Sequence, residues 1–317
     1  MGYTIRKTRG ERGTRITLTM EKQIETAARE HVPEIVAGKS VKEAGLIEGT
    51  KLRNMAEAMV LEPREPGAKL QPKQTETQSI IGSLKYVERI HIENALVDHK
   101  LSCVMSNPGC DAHMVAKSVL AATYKNRYCG VTYGGANFES RPETAYVMHA
   151  DFKMDDGAPR VSELTADATW SDTSLIGILI TKAGAVVHHQ VKKINAIVDN
   201  STHTEAFASS RAGELIVPVR AIDKALGSYT DAPTFLGTDN KANALLASGQ
   251  GTATRMQHAA RRYHSLLQRV KAGEVHIGWV ADEQNPSDFL TKFVKHDKYD
   301  RSIEYTKNRR NRVPHDK

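Results

Sequence analysis

Residues 164–194 read LTADATWSDTSLIGILITKAGAVVHHQVKKI, and the rhythm of this stretch decides the fold. Three runs, Leu164 to Trp170, Leu175 to Ile180 and Ala185 to Ile194, are short and rich in apolar and β-branched residues. Turn-forming Ser171-Asp172-Thr173-Ser174 and Lys182-Ala183-Gly184 separate them, so the stretch reads as a three-stranded meander. Downstream, Thr202 to Leu226 carries Leu215, Val219, Ile222 and Leu226 on one helical stripe, which Pro218 should bend. Thr234 to Thr238 reads as a fourth strand and Val275 to Val280 as a fifth. Helices are expected at Lys241 to Ala247, at Thr252 to Lys271 and from Ser287. The order βββαβαβα predicts an α/β domain, a mixed five-stranded sheet flanked by helices.

Upstream the rhythm differs. Tyr3 to Leu18 reads as a hairpin around the basic turn Arg9-Gly10-Glu11-Arg12-Gly13, leading into a helix from about Glu21. Residues 60–78 are polar and proline-broken, as a linker would be, and residues 79–128 have the apolar spacing of two or more packed helices. Pro142, Gly157 and Pro159 place the main boundary within 139–160. From Lys295 onward the chain reads as a solvated basic tail.

The chain has 317 residues, enough for two domains, and no apolar run approaches the roughly 18 residues of a membrane span. Met1 to Arg15 lacks the apolar core of a secretory signal, and Cys103, Cys110 and Cys129 lack zinc-finger spacing. Both point to an intracellular protein with reduced thiols and no membrane partner. A formal net charge of +7 fits a polyanionic partner without demanding one.

Four acids stand where elements of the second domain begin or end: Asp167 on the first strand, Glu205 at a helix start, Asp239 after the fourth strand and Asp288 at the last helix start. Each has an ordinary explanation. Thr202-x-x-Glu205 is a capping-box pattern, Asp239 suits a helix cap, and Asp288 complements a helix dipole. Together at one sheet edge they would repel one another unless cations neutralised them. Ligands that are all oxygen select magnesium or manganese, and two such ions suit phosphodiester hydrolysis.

Five blocks in order carry a resemblance. Ala166-Asp167-Ala168-Thr169-Trp170 resembles the Asp-Ala-Asp-Trp opening of the RNase H domain of Ty1/copia-type retrotransposon polyproteins. Ser201-Thr202-His203-Thr204-Glu205-Ala206-Phe207 resembles its Ser-Ser-Thr-Glu-Ala-Glu-Tyr, with Glu205 the one acid kept. Thr238-Asp239-Asn240-Lys241-Ala242-Asn243-Ala244 is similar to Cys-Asp-Asn-Gln-Ser-Ala, and Gln257 to His264 to the Lys-His-Ile-Asp-Ile-Arg-Tyr-His helix. Val280 to Lys292, with Gln284, Asp288, Leu290, Thr291 and Lys292, is similar to the closing Val-x-x-x-x-Gln-x-Ala-Asp-x-Leu-Thr-Lys.

The resemblance implies an RNase H-like fold that cuts the RNA strand of RNA/DNA hybrids. Two Mg2+ ions, replaceable by Mn2+, would be held by Asp167, Glu205, Asp239 and Asp288, with Asp167 bridging them. It implies that Asn240 and Asn243 touch the RNA strand. Arg261 and Arg262, on a basic helix, are candidate phosphate contacts. Ile80-Ile81-Gly82-Ser83-Leu84-Lys85-Tyr86 and His113 to Leu120 resemble the thumb and connection blocks that follow the polymerase palm in the same polyprotein. The expected division is therefore 1–70 thumb remnant, 71–150 helical connection, 151–297 RNase H-like domain and 298–317 basic tail. No Tyr-Val-Asp-Asp strand occurs, so polymerase activity is not expected of this chain alone. The partner would be an RNA/DNA hybrid, together with the remainder of a reverse transcriptase polyprotein.

Two other readings compete. A catalytically silent or domesticated hybrid-binding protein would keep the fold without cleavage. A DDE-type integrase or transposase would need a third acid on a downstream helix, and Glu274 opens a strand instead. The adjacent His188 and His189 point to opposite sheet faces and cannot share a metal. His264 is expected to pack within its helix layer.

Overall fold

The computed structural model describes residues 2–10, 13–59, 70–134, 162–169, 174–182, 185–195, 201–226, 232–250 and 260–308. It divides into two compact units: Met1–Arg6 with Thr17–Gly130, and Lys7–Ile16 with Val131–Lys317. The expected boundary segment, 139–160, lies outside the described residues.

The N-terminal hairpin forms as expected, β1 (Thr4–Gly10) and β2 (Gly13–Thr19), and its tip belongs to the second unit. The first unit is otherwise helical: α1 (Glu21–His31), α2 (Pro33–Val36), α3 (Gly49–Ala58), α4 (Pro72–Val87), α5 (Ala95–Val104) and α6 (Cys110–Lys125). Its apolar positions explain the packing. Ile24 and Ala28 on α1, Ile80, Ile81 and Leu84 on α4, and Val115, Val119 and Leu120 on α6 are all buried. Within the 60–78 stretch read as a linker, residues 60–69 lie outside the described residues, and the helix begins already at Pro72. Proline suits the first helical turn, and Gln74 Oε1 accepts the Gln71 N–H at 2.8 Å, so the start is capped within the polar segment itself.

The second unit contains β3 (Val131–Gly134) and then the five-stranded sheet made by β4 (Ser162–Thr169), β5 (Leu175–Lys182), β6 (Ala185–Lys193), β7 (Thr234–Thr238) and β8 (Val275–Trp279). The strand order is β6-β5-β4-β7-β8, with β4, β5 and β6 antiparallel and β4, β7 and β8 parallel. This is the mixed sheet of an RNase H-like fold, and every strand lies within two residues of its expected position. Three helices, α7 (Ser201–Ala225), α8 (Lys241–Ala247) and α9 (Ala260–Lys271), follow in the expected order. Residues 251–259 of the third expected helix lie outside the described residues.

Ala166 on β4 and Ile176, Ile178 and Ile180 on β5 share one core with Ala208, Ala212 and Ile216 of α7 and Leu266 of α9. The face that α7 buries is therefore not the expected stripe. Leu215 and Val219 only flank the core, and Ile222 and Leu226 are exposed. Small residues let the helix lie close to the sheet and to α9, so alanines occupy the contact and the larger residues fall outside it. At Gly213 an added Cβ would come within 3.3 Å of Leu266 Cδ1.

Two expectations at the end of the chain are corrected. The helix from Ser287 is a single 3-10 turn at Asp288–Leu290, and the stretch read as a solvated tail contains α10 (His296–Lys307). Burial of Ile303 and Thr306 holds α10 down, and Asn308, in the left-handed conformation at φ 54°, closes it. Asn308 Nδ2 also donates to the Thr132 carbonyl at 2.9 Å, tying the helix end to β3.

Candidate active site

Alternation along β4 sends Ala166 and Ala168 to the α7 side and Asp167 to the opposite face. There Asp167 pairs across to Gly177 of β5, and the absence of a side chain on Gly177 makes room for the 287–291 turn. An added Cβ would lie 2.7 Å from Leu290 Cβ and 2.8 Å from Thr291 Cγ2. The turn thus rests on the sheet beside Asp167, and Thr291 Oγ1 donates a hydrogen bond to the Asp167 carboxylate. Asn285, fully buried, completes the seat: its Oδ1 accepts from Ser287 N–H at 3.2 Å, and its Nδ2 donates to the Ala166 carbonyl at 3.4 Å.

Glu205, near the start of α7, reaches the same edge. Its Oε1 accepts the Ala168 N–H at 3.1 Å and its Oε2 the Thr238 hydroxyl at 3.4 Å. Asp239 follows directly on β7, and Trp279 Nε1 at the end of β8 donates to its carbonyl at 2.9 Å. The four acids expected from the sequence converge as two groups. Asp167, Glu205 and Asp239 have carboxylate oxygens within 4.8 Å of one another, and so do Asp239, Asp282 and Asp288. Asp239 is common to both groups, the place that the resemblance gives to Asp167. Glu274 belongs to neither and pairs with Arg269 at 2.9 Å.

The electrostatics record the crowding. Burial, then the charges of Asp288 and Asp239, push the Asp167 carboxyl well above the usual carboxylate range, against Lys292 and Thr291. Burial with Asp167 and Asp239 does the same to Glu205, and burial with Asp288 raises Asp239. Asp288 is fully buried and its Oδ1 has no hydrogen-bond partner among the described residues. An oxygen-only donor set, an unpartnered buried oxygen and mutual repulsion all fit a divalent cation.

Three groups here are not among the site residues expected from the sequence. Asp282 lies at an unconstrained position of the closing motif. Lys292 Nζ lies 3.0 Å from Asp288, 3.6 Å from Asp282 and 3.9 Å from Asp167. Lys298, on α10, pairs with Asp282 at 3.1 Å and with Asp288. The motif ending at Lys292 was a signal for that lysine, whereas Lys298 fell in the presumed tail.

The expected nucleic-acid contacts divide. Asn240 caps α8, its Oδ1 accepting the Asn243 N–H at 3.0 Å, and is partly exposed beside the acids. Asn243 departs from expectation: it is fully buried, and its amide bonds Ser209 at 2.8 Å and Tyr263 at 3.3 Å, so it braces α7, α8 and α9 rather than facing a ligand. Arg261 is exposed, but Arg262 is held by Glu214 at 3.1 Å and lies over the Phe207 ring. His264 is exposed rather than packed. No helix among the described residues is long and apolar enough to cross a membrane.

No protein-family model matches the chain. It is 26% identical over 234 residues to the Retrovirus-related Pol polyprotein from transposon RE2 of Arabidopsis thaliana, which covers 71% of this chain and 14% of the polyprotein. The chain thus spans about a seventh of that relative. Among solved structures, the N-terminal RNase H domain of rv2228c from Mycobacterium tuberculosis is similar over 45% of this chain and 96% of its own, at 14% identity and TM-score 0.33. LC11-RNase H1 in complex with RNA/DNA hybrid is similar over 41% and 92%, at 17% identity and TM-score 0.32. The foamy viral protease-reverse transcriptase in complex with RNA/DNA hybrid is similar over 78% and 28%, at 11% identity and TM-score 0.31. On its ordered motif blocks and its match to the plant transposon polyprotein, the chain is similar to one part of a retrotransposon Pol polyprotein.

Proposed function

We propose that the second unit hydrolyses the RNA strand of RNA/DNA hybrids with two divalent cations, Mg2+ with Mn2+ as a substitute, and that the chain is part of a copia-type reverse transcriptase/RNase H polyprotein. The observation that carries this reading is the convergence of Asp167, Glu205, Asp239 and Asp288 at one sheet edge, where they form two adjoining all-oxygen groups. Asp167, Glu205 and Asp239 would hold one ion, and Asp239, Asp282 and Asp288 the other. When bound, such ions supply a nucleophilic water and stabilise charge on the leaving oxygen.

The chain's own residues orient and exclude. Thr291, the Ala168 N–H and Thr238 fix the carboxylates by hydrogen bonds, and Asn285 holds the turn that carries Asp288. Asn240, beside the acids, is placed to meet a ribose hydroxyl, the group that separates RNA from DNA. Arg261 is the exposed phosphate contact, with Arg262 supporting it. The helical unit, as thumb and connection, would hold or orient the hybrid and have no catalytic role.

The test is substrate discrimination. The full chain is given end-labelled RNA/DNA hybrid, double-stranded RNA and double-stranded DNA of one sequence, with Mg2+ and with a chelator. Cleavage confined to the RNA of the hybrid and abolished by the chelator is the expected result. Hybrid binding without cleavage would identify a binding module, and equal cutting of double-stranded DNA would overturn the proposed specificity.

A further inference from the structure

The two acid groups differ in what already neutralises them. Asp167, Glu205 and Asp239 are held by neutral donors, Thr291, the Ala168 N–H, Thr238 and Asn285, and the nearest ammonium, Lys292, stands 3.9 Å from Asp167. The group of Asp239, Asp282 and Asp288 contains two ammoniums. Lys298 Nζ reaches both Asp282 and Asp288, and Lys292 Nζ lies 3.0 Å from Asp288. Lys292 is 40% exposed, but Lys298 is only 13% exposed and faces a fully buried carboxylate.

Lys298 is also placed by architecture rather than by chance. It stands in the first turn of α10, two residues after His296 opens the helix and one before Tyr299, whose ring meets Phe289 edge-on at 6.1 Å. Phe289 neighbours Asp288 in the 3-10 turn, so one aromatic contact fixes the helix against the turn that bears the acid. The far end of α10 is fastened by Asn308 to the Thr132 carbonyl. A lysine delivered from a docked helix loses less side-chain freedom on pairing than a free surface lysine, and with a buried partner its charge is poorly screened.

We propose that Lys298 is a positioning residue that serves as an internal cation of the Asp282 and Asp288 group, so that a second divalent ion binds there only by displacing its ammonium. The inference rests on the two-ion reading above. It makes the two ions unequal: the group of Asp167, Glu205 and Asp239 fills first, and the second fills at a concentration set by Lys298. Because α10 carries this lysine, docking of the helix and occupancy of the second position oppose each other.

Calorimetric titration of the full chain with magnesium chloride tests this, comparing wild type, Lys298→Met, Lys298→Gln and Lys298→Arg. The wild type should take up one equivalent tightly and a second more weakly. Both neutral variants should bind the second equivalent on the order of tenfold more tightly, while Lys298→Arg, which keeps the charge, should stay close to wild type. Melting without metal gives an independent reading: the neutral variants should melt below wild type, and Mg2+ should close the gap. Equal second affinities in wild type and a folded neutral variant would overturn the role of Lys298 alone. Failure of the wild type to bind any Mg2+ would overturn the two-ion reading with it.

Discussion

Replacing Gly177 by alanine should separate the acids without touching any of them. The new Cβ would stand 2.7 Å from Leu290 Cβ, 2.8 Å from Thr291 Cγ2 and 3.3 Å from the Ser287 carbonyl oxygen. Ordinary contact begins at 3.4 Å, so the turn or the strand must give by at least 0.7 Å, the difference between 3.4 and 2.7. The obstructing atoms belong to buried residues close to the backbone, which cannot swing aside as a long side chain would. Overpacking of this kind costs about 1–3 kcal/mol. The same turn carries Asp288 and the Thr291 hydroxyl that holds Asp167, so the displacement passes directly to the site. A misplacement near 1 Å in a positioned site lowers the rate by up to about a hundredfold. Urea unfolding and single-turnover hybrid cleavage at saturating Mg2+ measure the two effects. Gly82→Ala is the control, on an exposed turn of α4 where the added Cβ meets nothing within 4 Å, and it should gain about 0.5–1 kcal/mol without altering cleavage. Wild-type cleavage and an unchanged midpoint in Gly177→Ala would refute the claim that this glycine seats the turn.

Three further outcomes are expected. Burial and mutual repulsion raise Asp167, Glu205 and Asp239, so the folded chain holds these protons longer than the unfolded one, and metal-free stability should fall as pH rises above the ordinary carboxylate range. Melting with chelator from pH 4 to 8 should show a flatter decline in Asp167→Asn, and Mg2+ should stabilise wild type more at pH 7 than at pH 4; a steeper decline in the variant would contradict the assignment. Asn243→Ala should cost about 1–3 kcal/mol in urea unfolding, because it leaves buried partners on Ser209 and Tyr263 unpaired, and should leave discrimination between RNA and DNA unchanged. Arg261→Ala should reduce the salt dependence of hybrid affinity, with a smaller change in Arg262→Ala because Glu214 already engages that guanidinium; equal slopes in wild type and Arg261→Ala would place the phosphate track elsewhere.

The parts of the fold that were legible in the sequence are those written in local pattern. Strands β4 to β8 follow from short apolar and β-branched runs bounded by turn residues, and the four acids from motifs anchored at element ends. The buried face of α7 was not legible, because helix packing against a sheet and a second helix selects Ala208, Ala212 and Gly213 for closeness, whereas a hydrophobic stripe points to Ile222 and Leu226. Asn243 reads as a polar residue one helical turn past Asp239, and only the surrounding Ser209, Thr238 and Tyr263 make it a core brace. Asp282 and Lys298 are exposed-looking charges 16 residues apart, whose meeting depends on how α10 folds back, and no short-range signal records that. The basic composition after Lys295 masked Ile303 and Tyr299, two of the residues that dock the helix.

Cleavage of RNA paired to DNA at the carboxylates gathered on one sheet edge is open to one direct measurement. A hybrid labelled on its RNA strand is mixed in excess enzyme with Mg2+, and the single-turnover rate is compared between wild type and Asp167→Asn, with both proteins shown to be folded and to bind the hybrid. Wild type should cleave the RNA, and the variant should do so at a rate lower on the order of a hundredfold or more with its binding retained. Cleavage by Asp167→Asn at the wild-type rate, or none by folded, hybrid-bound wild type at any Mg2+ concentration, would contradict it.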